Sequence, residues 1–492
     1  MTFISIAFLV FFVCIVVGYY LCPPRFRWAL LLLGSCYFYM VFVPQYILVL
    51  FFIIIVDFIC ALQMERTEGS ARRRFFFIGL IANIGVLFVF KYFNFFNDNI
   101  ALIAQALHWH YSIGMLQLLL PLGLSFHAFQ SISYLIEVYR GKYPAEKHFG
   151  IYALYVMFFP QLVAGPIERP AHLLLQFKKV VIFKKGNIFS GIRRIAWGFF
   201  KKIVIADRLA LSVNYVYANI LNVPGPSILF AMFAFAFQLY ADFSGYTDIA
   251  RGSSRVLGIE LVRNFNQPYF SRSVEEFWRR WHMSLSSWFR DYFYFPMAYS
   301  AKQITIYWLY VCIVTTFVVI GFWHGAAWTY IIMGLLFGCF IVIGRLTKSL
   351  RQTVAIRIGL TRLPRLRAAV QVIITFALVN IGWTFFRAPD LTTAVTFLKE
   401  LFVGWHISFS QFIEEYLIHP FMMLGIKNVD LMLSLIFIFI LLLVENMERQ
   451  DRLNSFLNTQ TLFMRTVLYC SLFLTILLLG IFTTNTFIYF QF

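Results

Sequence analysis

Long apolar segments recur along the whole chain, separated by short polar or basic stretches. Because a membrane-spanning helix needs about 20 mainly apolar residues, this pattern predicts a polytopic, all-α membrane protein. Pro44 lies inside the apolar run 28–62 and favours two helices joined by a tight turn there. The predicted spanning helices are residues 4–21, the two within 28–62, 75–96, 116–138, 228–246, 304–322, 327–343, 368–386, 431–444 and 467–482.

Three further segments are too short or too polar to be clear spans. Residues 151–163 lead into a Gly-Pro turn and are interpreted as a half-spanning, re-entrant element. Residues 178–208 place basic side chains, as far as Lys202, among Ile, Phe and Trp at helical spacing, which predicts an interfacial region at the anionic cytoplasmic leaflet. The third is the aromatic, partly amphipathic segment 392–425. Together with these uncertain elements, we expect about ten to twelve spans, all in one membrane domain that covers residues 1–492.

Composition supports this class and excludes an ordinary soluble enzyme. Hydrophobic residues make up 61% of the chain and charged residues 13%, whereas soluble domains are about a quarter charged. The net charge of +19 is typical, in a membrane protein, of basic cytoplasmic loops, so no nucleic-acid partner is expected. The clearest such loop is 345–367, which has Lys and Arg but no acidic residue.

Neither the cysteines nor the histidines form a metal-binding or disulfide pattern. The seven cysteines are scattered, mostly inside apolar segments, without a C-x-x-C pair. The chain also lacks a Walker phosphate-binding loop and a dinucleotide-binding G-x-G-x-x-G motif. We therefore expect no metal ion, no tightly bound cofactor and no nucleotide hydrolysis.

His324 is the main candidate for chemistry. It lies between two long apolar helices, in the sequence Gly-Phe-Trp-His-Gly at residues 321–325. Ionisable residues are costly at membrane depth, which makes each of them a functional candidate. An imidazole can act there as a general base on a hydroxyl or a thiol, because its pKa lies near neutral pH. The alternative is a core histidine whose ring bonds a backbone carbonyl.

A second cluster of charged and aromatic residues lies in the longest segment without a clean span. Glu275, Arg279 and His282 are spaced by four and three residues, so a helix sets them on one face. Glu276 and Arg280 form a neighbouring i,i+4 pair. Such a helix either holds an anionic group against guanidinium donors or is an interfacial helix with ordinary salt bridges.

Two other polar groups have competing interpretations. Ser284 follows His282 closely, but the sequence has no G-x-S-x-G nucleophile elbow and no strand to carry one. A Ser/His nucleophile is therefore not expected. Asp242, at the predicted polar end of the span 228–246, either orients a histidine or caps and solvates the helix terminus.

Several motifs together resemble the membrane-bound O-acyltransferase family over essentially the whole chain. The resemblance is to its bacterial branch of alginate and peptidoglycan O-acetyltransferase membrane subunits and of the D-alanyl transfer protein of teichoic acid synthesis. The matching motifs are PLGLSF at 121–126, FPQLVAGPI at 159–167, FKK at 200–202, DFSGY at 242–246, FNQPY at 265–269, EFWRRWHMSLS at 276–286, WFRDY at 288–292, GFWHG at 321–325 and the terminal FQF at 490–492.

The resemblance implies a fold and roles for individual residues. His324 matches the catalytic histidine of the family, and His282 matches its second motif histidine, a place that asparagine or aspartate can hold in eukaryotic members. The implied fold is a ring of tilted helices, surrounded by membrane lipids, around a central tunnel that narrows near the catalytic histidine. The donor- or substrate-binding positions expected around the two histidines are Asn266, Arg279, Arg280, Trp281, Ser284, Asp291, Trp323 and Asp242.

The function that the resemblance implies is membrane O-acyl transfer, with acetyl as the expected acyl group. The expected donor is acetyl-CoA or another acyl thioester on the cytoplasmic side, and the acceptor is a cell-envelope polysaccharide such as peptidoglycan or an alginate-like polymer. We expect a periplasmic SGNH, serine-esterase-like partner to complete the transfer outside the bacterial inner membrane. The alternatives are D-alanyl transfer to teichoic acid, a transporter or flippase of an envelope precursor, and a non-catalytic scaffold.

Overall fold

Helices are the regular secondary structure throughout the part of the chain that the structure describes, which confirms the predicted all-α membrane protein. Eight of these helices are long and apolar enough to cross a membrane. The structure is a computed structural model that describes residues 2–163, 165–405, 408–450, 452–482 and 487–488. The predicted motif at 490–492 lies outside these residues. The eight helices are Pro44–Arg66, Gly69–Ala106, Gly225–Val256, Ile306–His324, Trp328–Leu346, Pro364–Arg387, Asn428–Arg449 and Leu462–Leu479.

The described residues form two compact units. One contains residues up to 195 together with 247–262, and the other contains 196–246 and 263–488. A single membrane domain over residues 1–492 stays a prediction. Shorter helices complete the chain, and the main ones are Ile6–Leu21, Arg27–Met40, Leu124–Tyr139, Phe149–Met157, Pro170–Phe177, Lys185–Phe199, Asp207–Ala218, Val274–Arg280, Met283–Phe289, Lys348–Arg357, Leu391–Glu400 and Arg452–Thr459.

Two predicted elements of the first unit are shorter than the apolar pattern indicated. The span predicted at 116–138 begins only at Leu124, because Gly123 adopts a left-handed conformation (φ 71°) immediately before the helix. The segment predicted as half-spanning contains the nine-residue helix Phe149–Met157, which is followed by turns. All residues of this helix except Phe149 are buried. A half-spanning element needs such cover, because re-entrant backbone is tolerated at membrane depth only where protein or water surrounds it.

The predicted interfacial region 178–208 is only partly of that kind. The helix Lys185–Phe199 is amphipathic, with basic residues on its polar face. Lys201 and Lys202, in contrast, are buried in the π-helical stretch Phe200–Ala206. The prediction was wrong at this end, because the helical spacing of lysines does not reveal that a buried carboxylate pairs with one of them.

In the second unit, two helices that flank His324 pack against each other through glycines. The helices Ile306–His324 and Trp328–Leu346 form a hairpin, and a Cβ at Gly334 would lie 2.2 Å from the Phe317 carbonyl oxygen. Gly321 has equally little room for a side chain. Small residues let membrane helices approach closely, so this glycine contact fixes the position of the helix end that carries His324.

Replacement of Gly334 by alanine is expected to destabilise the hairpin by about 1–3 kcal/mol, because the added methyl collides with the Phe317 carbonyl. Gly344→Ala in the same helix is the matched control, since no atom lies within 4 Å of the position of its Cβ. Alanine favours a helix over glycine, so the control is expected to be neutral or slightly stabilised. The melting temperatures of the two variants are measured in the same detergent. Equal values would contradict the close contact between Gly334 and the Phe317 carbonyl.

Candidate active site

His324 is the last residue of the helix Ile306–His324, and only 3% of its surface is exposed. The next residue, Gly325, has no room for a side chain, because a Cβ would lie 2.1 Å from the Tyr330 ring. The His324 ring packs edge-on against Phe386, with 5.5 Å between the ring centroids. The helix therefore ends in the interior of the second unit and presents the imidazole there.

His282 lies between the short helices Val274–Arg280 and Met283–Phe289 and is fully buried. Its φ of 43° is in the left-handed region, which costs a residue with a side chain about 1–2 kcal/mol. Strain of this kind tends to occur at functional sites. The prediction that one helix face carries Glu275, Arg279 and His282 was wrong, because the first helix ends before the histidine.

Asn264 holds the turn that contains His282. The Asn264 carbonyl oxygen accepts a hydrogen bond from the Met283 amide at 2.9 Å, and its side-chain oxygen accepts one from the Ser284 amide at 3.2 Å. These bonds satisfy the first amides of the following helix, a role that the N-cap side chain usually has. His282 occupies the N-cap position, but its side chain makes no capping hydrogen bond, so the imidazole is not used to stabilise the helix start.

Asn264→Ala is expected to lower the free energy of unfolding by about 1 kcal/mol or more, because the buried Ser284 amide loses its acceptor. Asn266→Ala is the matched control, since Asn266 is exposed and its backbone amide, not its side chain, bonds the Arg280 carbonyl. Chemical or thermal unfolding in detergent provides the measurement. Destabilisation of both variants to the same extent would show that Asn264 has no special structural role.

The two histidines lie close together beside Trp323. The centroid of the Trp323 ring is 4.8 Å from that of His324 and 6.2 Å from that of His282. Phe243 also contacts His282, at 4.7 Å. Burial, and then repulsion from His324 when that ring is protonated, hold the pKa of His282 well below its ordinary value. At neutral pH, His282 is therefore a neutral imidazole with one donor and one acceptor nitrogen.

Trp281 forms part of an aromatic wall next to His282. Its side chain is fully buried, and its ring centroid lies 5.1 Å from those of both Trp383 and Phe265. Such rings exclude water, and a lower local dielectric strengthens hydrogen bonds and charges within the site. Trp281 and Trp323, both predicted as site residues, thus lie beside the two histidines.

Three other predicted residues lie further toward the surface. Arg279 is exposed and pairs with Glu275 at 3.2 Å, and Arg280 forms the predicted i,i+4 pair with Glu276 at 2.5 Å. Asp291 is also partly exposed. An exposed pair such as that of Arg279 contributes little to stability. A role of these three residues in binding a donor stays a prediction.

Asp242 lies inside the helix Gly225–Val256, not at a helix end as predicted. The Lys202 Nζ atom is 2.6 Å from the Asp242 carboxylate and 3.0 Å from that of Asp207, and all three side chains are buried. Burial raises the pKa of Asp207 to about 7. The prediction of a solvated helix cap was wrong, because Lys202 supplies a charge partner from a distant part of the sequence.

Some residues that form the site were not predicted, because nothing in the sequence marks them as functional. Asn264 lies one position before the recognised motif at 265–269, and its place beside that motif was the only available clue. Phe243 and Phe386, which contact the two histidines, are ordinary apolar positions in the sequence. Among the residues that the structure describes, no group of three or more His, Cys, Asp or Glu could hold a metal ion.

Comparison with known proteins places the chain among membrane acyltransferases. The family model of the membrane-bound O-acyltransferase family matches residues 146–380. The chain is 36% identical to a probable alginate O-acetylase of Pseudomonas aeruginosa, over 83% of this chain and 76% of that protein. It is 34% identical to a peptidoglycan O-acetyltransferase of Helicobacter pylori, over 81% of this chain and 77% of that protein. It is 29% identical to a teichoic acid D-alanyltransferase of Bacillus subtilis, over 44% of this chain and 56% of that protein.

Proposed function

Because the chain belongs to the membrane-bound O-acyltransferase family, we propose that it transfers an acetyl group from a thioester donor toward a cell-envelope polysaccharide. The chain is a multi-pass membrane protein and an acyltransferase. The observation that carries the proposal is the pair of buried imidazoles, His282 and His324, beside the Trp323 ring. Such a pair supplies the two functions that acyl transfer needs, a proton acceptor and a hydrogen-bond donor.

In the proposed reaction, His324 removes the proton from an acceptor hydroxyl, either on the polysaccharide or on a relay group of a partner protein. The hydroxyl oxygen then attacks the thioester carbonyl, and the tetrahedral intermediate carries a negative charge on the carbonyl oxygen. The neutral His282 ring donates an N–H to that oxygen. Collapse of the intermediate breaks the carbon–sulfur bond, and the thiolate takes up the proton that His324 holds.

The proposed donor is acetyl-CoA or another acyl thioester that approaches from the cytoplasmic side of the inner membrane. Support comes from the basic segment 345–367, which has no acidic residue, and from exposed lysines near residues 184–185. A positive surface raises the local concentration of an anionic carrier and accelerates its association. Exposed Asn266 and Arg279 are proposed to contact the carrier, while Trp281 and Trp323 enclose the acyl group.

A periplasmic SGNH-type esterase fold is proposed as the partner that delivers the acetyl group to the polymer. Both histidines are almost fully buried, so a polysaccharide chain has no direct access to them in the structure described here. A separate transferase with an open site solves this problem. The relatives named for alginate and peptidoglycan acetylation support acetyl as the acyl group over D-alanine, because the D-alanyl relative aligns with only 44% of this chain.

The test uses the purified full-length chain in liposomes with a radiolabelled acetyl thioester and, in parallel, a D-alanyl thioester. We expect consumption of the acetyl donor above the rate in protein-free liposomes, and faster consumption when polymer and periplasmic partner are added. Preference for the D-alanyl thioester would overturn the acetyl assignment. Turnover of neither donor would contradict the proposed thioester chemistry.

A further inference from the structure

A cavity of about 920 Å³ lies in the second unit, separate from the two histidines. Its walls come from the ends of the spanning helices Trp328–Leu346 and Pro364–Arg387, from the short helix Lys348–Arg357, and from the segment 272–275. We call it the basic groove. The proposed reaction at the two histidines uses none of its lining residues, although four of its cations belong to the basic segment 345–367 that supports the proposed approach of the donor.

Five cations line the basic groove, against a single carboxylate. Arg345 forms two hydrogen bonds with the Glu275 carboxylate, at 3.0 and 3.2 Å, which neutralises that acid. The remaining cations are Arg272, Lys348, Arg351 and Arg367. None of these four forms an ion pair with any residue that the structure describes, and Arg351 donates a hydrogen bond to the Gly344 carbonyl oxygen. The groove therefore has a strong excess of positive charge, which calls for an anionic ligand.

Apolar side chains of the two spanning helices also line the basic groove. Phe340 and Ile341 come from one spanning helix, and Ile374 and Leu378 come from the other. Ile374 is 56% exposed, so the groove continues onto the surface that faces the bilayer. A ligand that satisfies both parts of the groove must join an anionic head to a long apolar tail.

We propose that the basic groove binds one anionic phospholipid, with its phosphate between Lys348 and Arg367 and its acyl chains along Ile374 and Leu378. A lipid is favoured over a water-soluble thioester carrier because the apolar wall belongs to two spanning helices and is open to the bilayer. The site is expected to be at the cytoplasmic leaflet, where anionic lipids attract basic segments. This proposal does not depend on the acyl group or on the donor.

The binding test compares two double variants: one lacks two cations of the groove, and the other lacks two cations outside it. Lys348→Gln with Arg367→Gln is the test variant, since neither side chain has an ion pair in the described structure to lose. Arg357→Gln with Arg362→Gln is the matched control, because both arginines are exposed in the same segment and do not line the groove. The full-length protein is placed in nanodiscs that contain phosphatidylglycerol and phosphatidylcholine, and bound lipid is measured by native mass spectrometry.

We expect the wild-type chain and the control variant to retain phosphatidylglycerol in preference to phosphatidylcholine. The test variant is expected to bind phosphatidylglycerol about 30-fold more weakly, since each basic residue near the surface contributes about a factor of five. If both double variants lose phosphatidylglycerol binding to the same extent, the effect comes from general surface charge and the proposal is overturned. Displacement of the lipid by micromolar acetyl-CoA would identify the groove as a donor site and overturn it as well.

Discussion

Alanine in place of His324 is expected to reduce acyl transfer by about 10²–10⁴-fold, which is the usual contribution of a general base. The imidazole is buried at the end of its helix, and the proposed reaction assigns proton removal to it alone, since His282 acts there as a hydrogen-bond donor. The measurement is the initial rate of acetyl thioester consumption in liposomes, at equal amounts of folded protein. The loss is expected in the maximal rate, because the imidazole acts on the reacting atoms rather than on the carrier.

Two controls separate catalysis from folding in this experiment. His419→Ala removes an exposed histidine of the same unit and is expected to leave the rate unchanged. Size-exclusion profiles and melting temperatures report whether His324→Ala folds, since its ring packs against Phe386. A folded His324→Ala variant with the wild-type rate would reject His324 as the base, and would favour the alternative of a core histidine.

The position of His324 was accessible from the sequence because it depends on local patterns. Two apolar segments of spanning length flank a Gly-Phe-Trp-His-Gly sequence, and hydropathy alone places the histidine between them. The structure confirms two helices there, and glycines at the crossing bring them into contact. Local pattern and long-range packing agree in this region, which is why the prediction succeeded.

The surroundings of His282 were not accessible in the same way. The spacing of Glu275, Arg279 and His282 fits a continuous helix, but the chain leaves the helix at Trp281 and adopts a left-handed turn. No spacing rule reveals that break, because the stabilising contact comes from Asn264, almost twenty positions earlier. Buried Lys202 and Asp242 illustrate the same limit, since a charge pair across distant elements leaves no periodic signal.

His282 offers a way to separate backbone strain from chemistry. Asparagine tolerates the left-handed region better than alanine and carries an amide N–H that can replace the imidazole donor. We therefore expect His282→Asn to unfold at a higher temperature than His282→Ala, which bears a strain of about 1–2 kcal/mol at this φ. His282→Gly, which adopts the conformation without that strain, tests the backbone contribution in the absence of any side chain.

The activities of the same variants test the proposed donor role. Loss of one oxyanion donor costs about 10²–10³-fold in rate, so His282→Ala and His282→Gly are expected to fall by that factor even where they differ in stability. His282→Asn is expected to retain more activity than either, because its amide can still donate to the developing oxyanion. If the rates instead follow the melting temperatures, with glycine as active as asparagine, then His282 only maintains the turn and the N–H that stabilises the intermediate must come from another group.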